Sequence, residues 1–254
     1  MFLLRPYLAA AMLMLAAIVP ATSLGHQDTP QVDVPVVRPR IFLDKSPRIV
    51  WYQLDRLTNR QLLLVERNTD DVKYAPVHTA ILIRPGMSTQ HREEALAAVQ
   101  ELNHSDPVSE LLVAFKKLDV EDKASQRVGR QLASLLLRQP VEVLKAHTAQ
   151  FKDAATAGGT LHRATALAGL IGAGRKGDAE AMAERGPLAS ADYLLAVSLI
   201  PDTAVRQDSR PTVLGFLAES QPTSVRRKAI HALAAVMRPG DDTFAIAAAF
   251  IMKP

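Results

Sequence analysis

One apolar frame recurs three times in this chain, and it restricts the fold more than any other feature. It reads Arg-x-x-Ala-(Leu/Ile)-x-x-(Leu/Val)-x-x-apolar. The copies are Arg92, Ala95, Leu96, Val99 and Leu102; Arg163, Ala166, Leu167, Leu170 and Ala173; and Arg226, Ala229, Ile230, Leu233 and Val236. Positions three and four apart share one face of a 3.6-residue helix, and the small alanine lets another helix approach closely. Three copies of one amphipathic helix predict an all-α chain built of repeats.

Composition agrees. Aromatic residues make up 5% of the 254 residues, with a single Trp, while Ala and Leu dominate. That suits helices packed at short distance better than a β-sandwich, which draws on β-branched and aromatic side chains. The absence of Cys excludes a disulfide framework, a thiolate metal site, a covalently attached c-type haem and a Cys nucleophile. The formal charge of +4 is spread along the chain. It reads as a solvated surface of mixed sign, with no nucleic-acid partner expected.

Residues 1–25 read as a signal peptide. Arg5 precedes the apolar run from Tyr7 to Val19, and the small residues Ala21, Ser23 and Gly25 follow. The run is short for a membrane span and has the exit of a cleavable signal, with cleavage expected after Ser23 or Gly25. The mature chain is therefore expected to be exported, to the periplasm or outside the cell, without membrane insertion. Residues 26–46 read as an extended linker, interrupted by Pro30, Pro35 and Pro39.

Helix is expected from 47 to 254. Ser46-Pro47 is a good start, and Thr58 or Asn59 can cap a second short helix. Residues 47–74 are thus expected to form an N-terminal capping helix pair, with Trp51 and Tyr52 sealing the open end. Pro76, Pro107, Pro140 and Pro211 then each open a helix. Proline suits a first turn because its missing N–H would lack an intrahelical partner there anyway. The gap between Pro140 and Pro211 holds two units, and the unmarked start is expected at Gly177-Asp178. Each proline-opened helix has a partner, giving about five hairpins of roughly 30–38 residues. A last apolar helix is expected over 243–252, buried or engaged in an oligomer contact.

The period and the Arg-x-x-Ala-Leu frame resemble HEAT repeats over about residues 75–252. The resemblance implies a right-handed α-solenoid. A second, narrower resemblance runs through Arg48-Ile-Val-Trp-Tyr-Gln-Leu54, Leu57-Thr-Asn-Arg-Gln-Leu-Leu63 and Arg92-Glu-Glu-Ala-Leu96. It is similar to the helical repeat region of exported modular proteins of planctomycete-type bacteria. There, such repeats are followed by a cupredoxin-like or c-type cytochrome module. This chain has neither the Cys-x-x-Cys-His haem motif nor a copper-binding Cys, so electron transfer does not carry over to it.

Few residues suggest chemistry. Gly172, Gly174 and Gly177 match Gly-x-Gly-x-x-Gly, but they follow an expected helix rather than a strand, which reads as a helix end and loop. His26, His78, His91, His104, His147, His162 and His231 include no His-x-x-x-His pair and read as surface or interface residues. Asp70-Asp71, Asp119, Glu121, Asp122 and Asp241-Asp242 read as caps and turns. No nucleophile elbow, P-loop or Ser-x-x-Lys motif occurs. Arg92, Arg163 and Arg226 either form a basic ladder for an acidic partner or pair with carboxylates and carbonyls of neighbouring repeats. His231 occurs in only one copy and is the residue there least explained by the frame. The expectation is a non-catalytic, cofactor-free scaffold with a protein partner, contacting it through Arg92, Arg163, Arg226 and His231. The alternative is a helical companion of a periplasmic redox protein, itself without haem or copper ligands.

Overall fold

The computed structural model describes residues 38–118, 122–238 and 240–242, with the isolated positions 245 and 248. The expected signal peptide, most of the linker and nearly all of the 243–252 helix lie outside the described residues. Within them every regular element is helical: fourteen α-helices and two short 3-10 turns, with no strand. The described end of the linker, residues 38–46, is irregular, yet Ile41 and Leu43 pack on the helical core. The Phe42 amide donates to Gln53 Oε1 at 3.1 Å.

The first helix, α1 (Pro47–Asp55), starts with proline as expected, although the Ser46 hydroxyl makes no cap bond. Helix α2 (Asn59–Leu64) is entered through a reciprocal capping box between Thr58 and Gln61. The Trp51–Tyr52 pair divides instead of sealing an end together. Trp51 is partly buried under the Lys117 ammonium, 4.9 Å from its ring, while Tyr52 is 60% exposed. Adjacent residues on a helix lie about 100° apart, so one narrow face cannot bury both.

Helices α3 (Ala75–Ile83), α4 (Thr89–Asn103), α5 (Pro107–Phe115) and α6 (Lys123–Leu137) follow. Pro76 and Pro107 stand at the openings of α3 and α5, Asp106 caps α5 through the amides of Val108 and Ser109, and Ser88 caps α4. Helix α3 is apolar on several sides, as suits a helix in contact with α1, α2, α4, α5 and α6. Helix α4 ends in a Schellman-type turn: His104 takes φ +48° and the Ser105 amide reaches Gln100 O at 3.0 Å.

Beyond Gln139 the order of elements departs from expectation. The helix opened by Pro140 is two, α7 (Val141–Ala146) and α8 (Thr148–Ala154), interrupted at His147. There the imidazole Nε2–H donates to Asp106 Oδ1 at 2.9 Å, a bond across to the start of α5. Helix α9 (Thr160–Gly172) carries the second frame. Helix α10 (Lys176–Ala183) begins near the expected point, but Asp178 sits inside its first turn and is bonded to Arg175 and Lys152. Pro187 opens α11 (Pro187–Leu199), a start absent from the proline pattern above. Pro211 lies in the first turn of α13 (Arg210–Gly215), which follows a separate short α12 (Thr203–Asp208). Helix α14 (Thr223–Leu233) carries the third frame and tightens into a 3-10 turn over Ala234–Val236.

The frame alanines Ala95, Ala166 and Ala229 are all buried. Glycine adds close packing in α6 and α9. A Cβ at Gly169 would stand 2.8 Å from the Phe151 ring, and one at Gly129 would stand 2.6 Å from Leu161.

Candidate functional site

The three frame arginines do similar structural work in different surroundings. Arg92 is 0% exposed. Its guanidinium donates to the carbonyls of Leu82 and Arg84, the latter at 2.6 Å, at the end of α3. These carbonyls lack intrahelical donors, and a cation is favoured at that end of the helix dipole. Burial lowers the Arg92 pKa to about 10, which leaves it charged at neutral pH. Arg226 is half-buried and its Nε donates to Leu217 O, just past α13, at 3.2 Å. Arg163 reaches back to Gly158 O and forward to Asp192 of α11, with Nε 2.6 Å from Oδ2 and a second guanidinium nitrogen 3.3 Å from Oδ1.

Of the two readings, the contacts are those of pairing within the chain, and the three arginines do not form a continuous basic surface. Arg92 has no surface to offer, and Arg163 and Arg226 are engaged within the chain. Of the four residues singled out for partner contact, only His231, in the last turn of α14, is exposed. Sequence reasoning also placed every histidine at the surface or an interface. His78 and His162 are instead buried in the body of the chain. His78 Nε2–H donates to Asn68 O at 3.3 Å. Burial depresses the pKa of both rings, and for His162 the charges of Lys116 and Arg163 add to the effect.

His162 lines one of two clefts that meet at Arg163. This cleft, about 380 Å³, is walled by Phe115 of α5, Leu118 just past it, Arg130 of α6, Leu161 and His162 of α9, and Leu195 of α11. The His162 ring stacks on Phe115, centroids 5.6 Å apart at 20°. Its Nδ1 faces the backbone at Gly158, and a backbone hydrogen bond ties the ring to Ala157. Nε2 is buried with no hydrogen-bond partner in the protein. On the other side of Arg163 a cleft of about 280 Å³ is lined by Leu167, Met182, Arg185, Leu188 and Asp192.

The sequence signal for His162 was its place beside a frame arginine. Only the packing of α9 against α5 and α6 turns that neighbour into a cleft wall. The Gly172–Gly177 stretch follows helix α9, with Gly174 at φ +73° in the turn to α10. No strand precedes it among the described residues. Likewise among the described residues, no cluster of metal-ligating side chains occurs, and no helix is long and apolar enough to cross a membrane. The sequence matches no protein-family model, and no curated protein or solved structure matches it either.

Proposed function

We propose that the chain is an exported, non-catalytic scaffold, a right-handed α-solenoid of HEAT-like hairpins that binds a protein partner in the periplasm or outside the cell. The observation that carries this reading is the order of packing. Helix α3 packs on α4, α4 on α5, α5 on α6, α6 on α9, α9 on α11 and α11 on α14. Neighbours along the chain are neighbours in space, the pattern of units that bury their apolar faces only against adjacent units. The frame arginines support it, since their guanidinium groups serve helix ends and a neighbouring carboxylate rather than a substrate. Such a stack offers a partner a long surface of modest contacts.

The clefts flanking Arg163 are the natural docking positions, and Leu188 is an apolar residue that lines one of them while 65% exposed. The test is a photo-crosslinking residue placed at Leu188 in the producing cell. A discrete adduct to one protein, competed by excess purified chain, is expected. Its absence, with the variant folded, overturns the partner assignment. Export is tested by N-terminal sequencing of the protein from the periplasmic fraction. A new terminus after Ser23 or Gly25 is expected, and an unprocessed cytoplasmic chain overturns it.

A further inference from the structure

We infer that the face formed by residues 38–48 and the outer side of α1 is a docking surface for an anionic lipid bilayer, on which the protein lies without crossing it. The inference needs neither export nor a protein partner, so it stands apart from the scaffold reading. Three features coincide on this face.

The first is charge. Basic residues run through the whole chain, but their excess over acidic ones does not. Residues 38–60 hold six basic side chains, Arg38, Arg40, Lys45, Arg48, Arg56 and Arg60, all exposed, against two acidic ones, Asp44 and Asp55. The excess of four equals the net charge of +4 on all 254 residues. Both acids already have a basic neighbour: Lys45 Nζ lies 3.1 Å from Asp44 and Arg84 lies 4.0 Å from Asp55. Among the described residues no carboxylate forms an ion pair with Arg38, Arg40, Arg48, Arg56 or Arg60. Five arginines are thus available to anionic headgroups, which attract each nearby basic residue.

The second is apolar surface. Ile49, Tyr52, Gln53 and Arg56 share the outer side of α1 by their spacing of three, four and seven residues, while Val50 and Leu54 are buried on its inner side. The outer side of a surface helix is ordinarily polar, yet Ile49 is 48% exposed and Tyr52 60%. Phe42, also exposed, is brought beside them by Gln53, whose amide oxygen accepts from the Phe42 N–H and whose amide nitrogen donates to Ile49 O at 3.2 Å.

The third is the way the two are joined. The Arg40 guanidinium stands 5.3 Å from the centre of the Phe42 ring, and that of Arg56 stands 5.4 Å from the Tyr52 ring. Arg56 also donates to the Tyr52 hydroxyl at 2.8 Å. Each exposed aromatic therefore carries its own cation. That combination suits the boundary of a bilayer, where apolar side chains enter the acyl edge and guanidinium groups stay at the phosphates. A soluble polyanion would meet the charge and leave Phe42, Ile49 and Tyr52 in water, whereas an anionic bilayer takes up both.

The test uses the protein as purified from the producing cell, with vesicles of phosphatidylcholine alone or of phosphatidylcholine with about one third phosphatidylglycerol. Co-sedimentation should show preference for the anionic vesicles, weakening as salt is raised. Joint substitution Arg40→Ala and Arg48→Ala, at exposed positions where folding is not at stake, should weaken anionic binding about ten-fold or more. Joint substitution Ile49→Ser and Tyr52→Ser should weaken it about ten-fold and leave the salt dependence in place. The chain has no Cys, so Ile49→Cys can carry a single polarity-sensitive dye. The dye should report an apolar surrounding with anionic vesicles, while the same dye at Val141→Cys, on α7, should not respond. A silent dye at position 49 overturns the inference, whether or not the protein sediments, because attachment then runs through another part of the chain. So does a response to neutral vesicles, or to soluble polyglutamate, as large as that to the anionic vesicles. Undiminished anionic binding after the paired arginine substitutions overturns it as well.

Discussion

Arg163 closes on Asp192 with Nε 2.6 Å from Oδ2, and the carboxylate side chain is only 3% exposed. The pair ties α9 to α11 and stands where the two clefts meet. Removing the arginine leaves a buried carboxylate without its counter-charge, which costs about 3–5 kcal/mol in comparable settings. Arg163→Ala is expected to lower unfolding free energy by about 3 kcal/mol, measured by urea titration with the slope unchanged. Asp192→Asn keeps the shape and an acceptor, and should cost less. A loss below about 1 kcal/mol for Arg163→Ala, the scale of a surface pair, would remove the pair from the framework of the fold.

Arg92 makes a second stability test, because it sits inside the α3–α4 hairpin with two backbone carbonyls as its partners. A lysine carries the charge but not the planar fork that reaches two acceptors at once. Arg92→Leu is expected to cost about 2–4 kcal/mol, since the carbonyls at the end of α3 lose charged donors. Arg92→Lys should recover less than half of that. Full recovery by lysine in thermal or denaturant unfolding would show that charge alone matters at this position.

The buried histidines give stability a pH dependence with a definite sign. Folding depresses the pKa of His78 and His162, chiefly by desolvation. Above the ordinary value near 6.5 both states are neutral and neither residue contributes. As pH falls below it, the unfolded chain takes up protons that the folded chain refuses, so stability drops until the folded pKa is reached. The slope is up to about 1.4 kcal/mol per pH unit for each residue. Asp178, held low first by its hydrogen bond to Arg175, gives way only below the carboxylate range near 3.8. The histidine window, which opens as pH falls below about 6.5, therefore starts well before it. Unfolding measured across it should show the slope, and His162→Phe should flatten it. An unchanged slope in a folded His162→Phe variant would exclude that ring as a source.

Two helical glycines should respond in opposite directions. An alanine at Gly169 drives its Cβ to 2.8 Å from the Phe151 ring, which is itself fully buried. Overpacking of that kind costs about 1–3 kcal/mol, more than the helix propensity gained. Gly177 has nothing within 4 Å of its would-be Cβ and lies in helix α10. Gly177→Ala should therefore stabilise by about 0.5–1 kcal/mol. Melting temperatures of the two variants measure this directly. A destabilised Gly177→Ala would show that the third glycine of the Gly-x-Gly-x-x-Gly stretch has a constraint the local geometry does not contain.

Much of the local structure was legible in the sequence. Apolar spacing of three and four determined that the chain is helical, because a face must be buried and its period is a property of the backbone. Pro47, Pro76 and Pro107 marked helix starts because a proline lacks only the donor that a first turn leaves unused. Thr58 was readable as a cap for an equally local reason. Where a start depended on something distant, the reading slipped. The break at His147 coincides with a bond to Asp106, 41 residues earlier, and nothing near position 147 encodes it.

The site belongs almost wholly to the tertiary structure. The sequence singled out Arg92, Arg163 and Arg226 because they share one frame position. Position in a frame sets which way a side chain leaves its own helix, but not what it meets. Packing put Arg92 among carbonyls, set Arg163 against Asp192 of α11, and left Arg226 half-buried beside Leu217. It also brought Phe115, Arg130 and His162 to one cleft from three helices. Helical period is written in neighbouring residues and can be read from them. Burial, charge pairing and the free nitrogen of His162 arise from contacts between residues far apart in the chain, and only the assembled fold determines those.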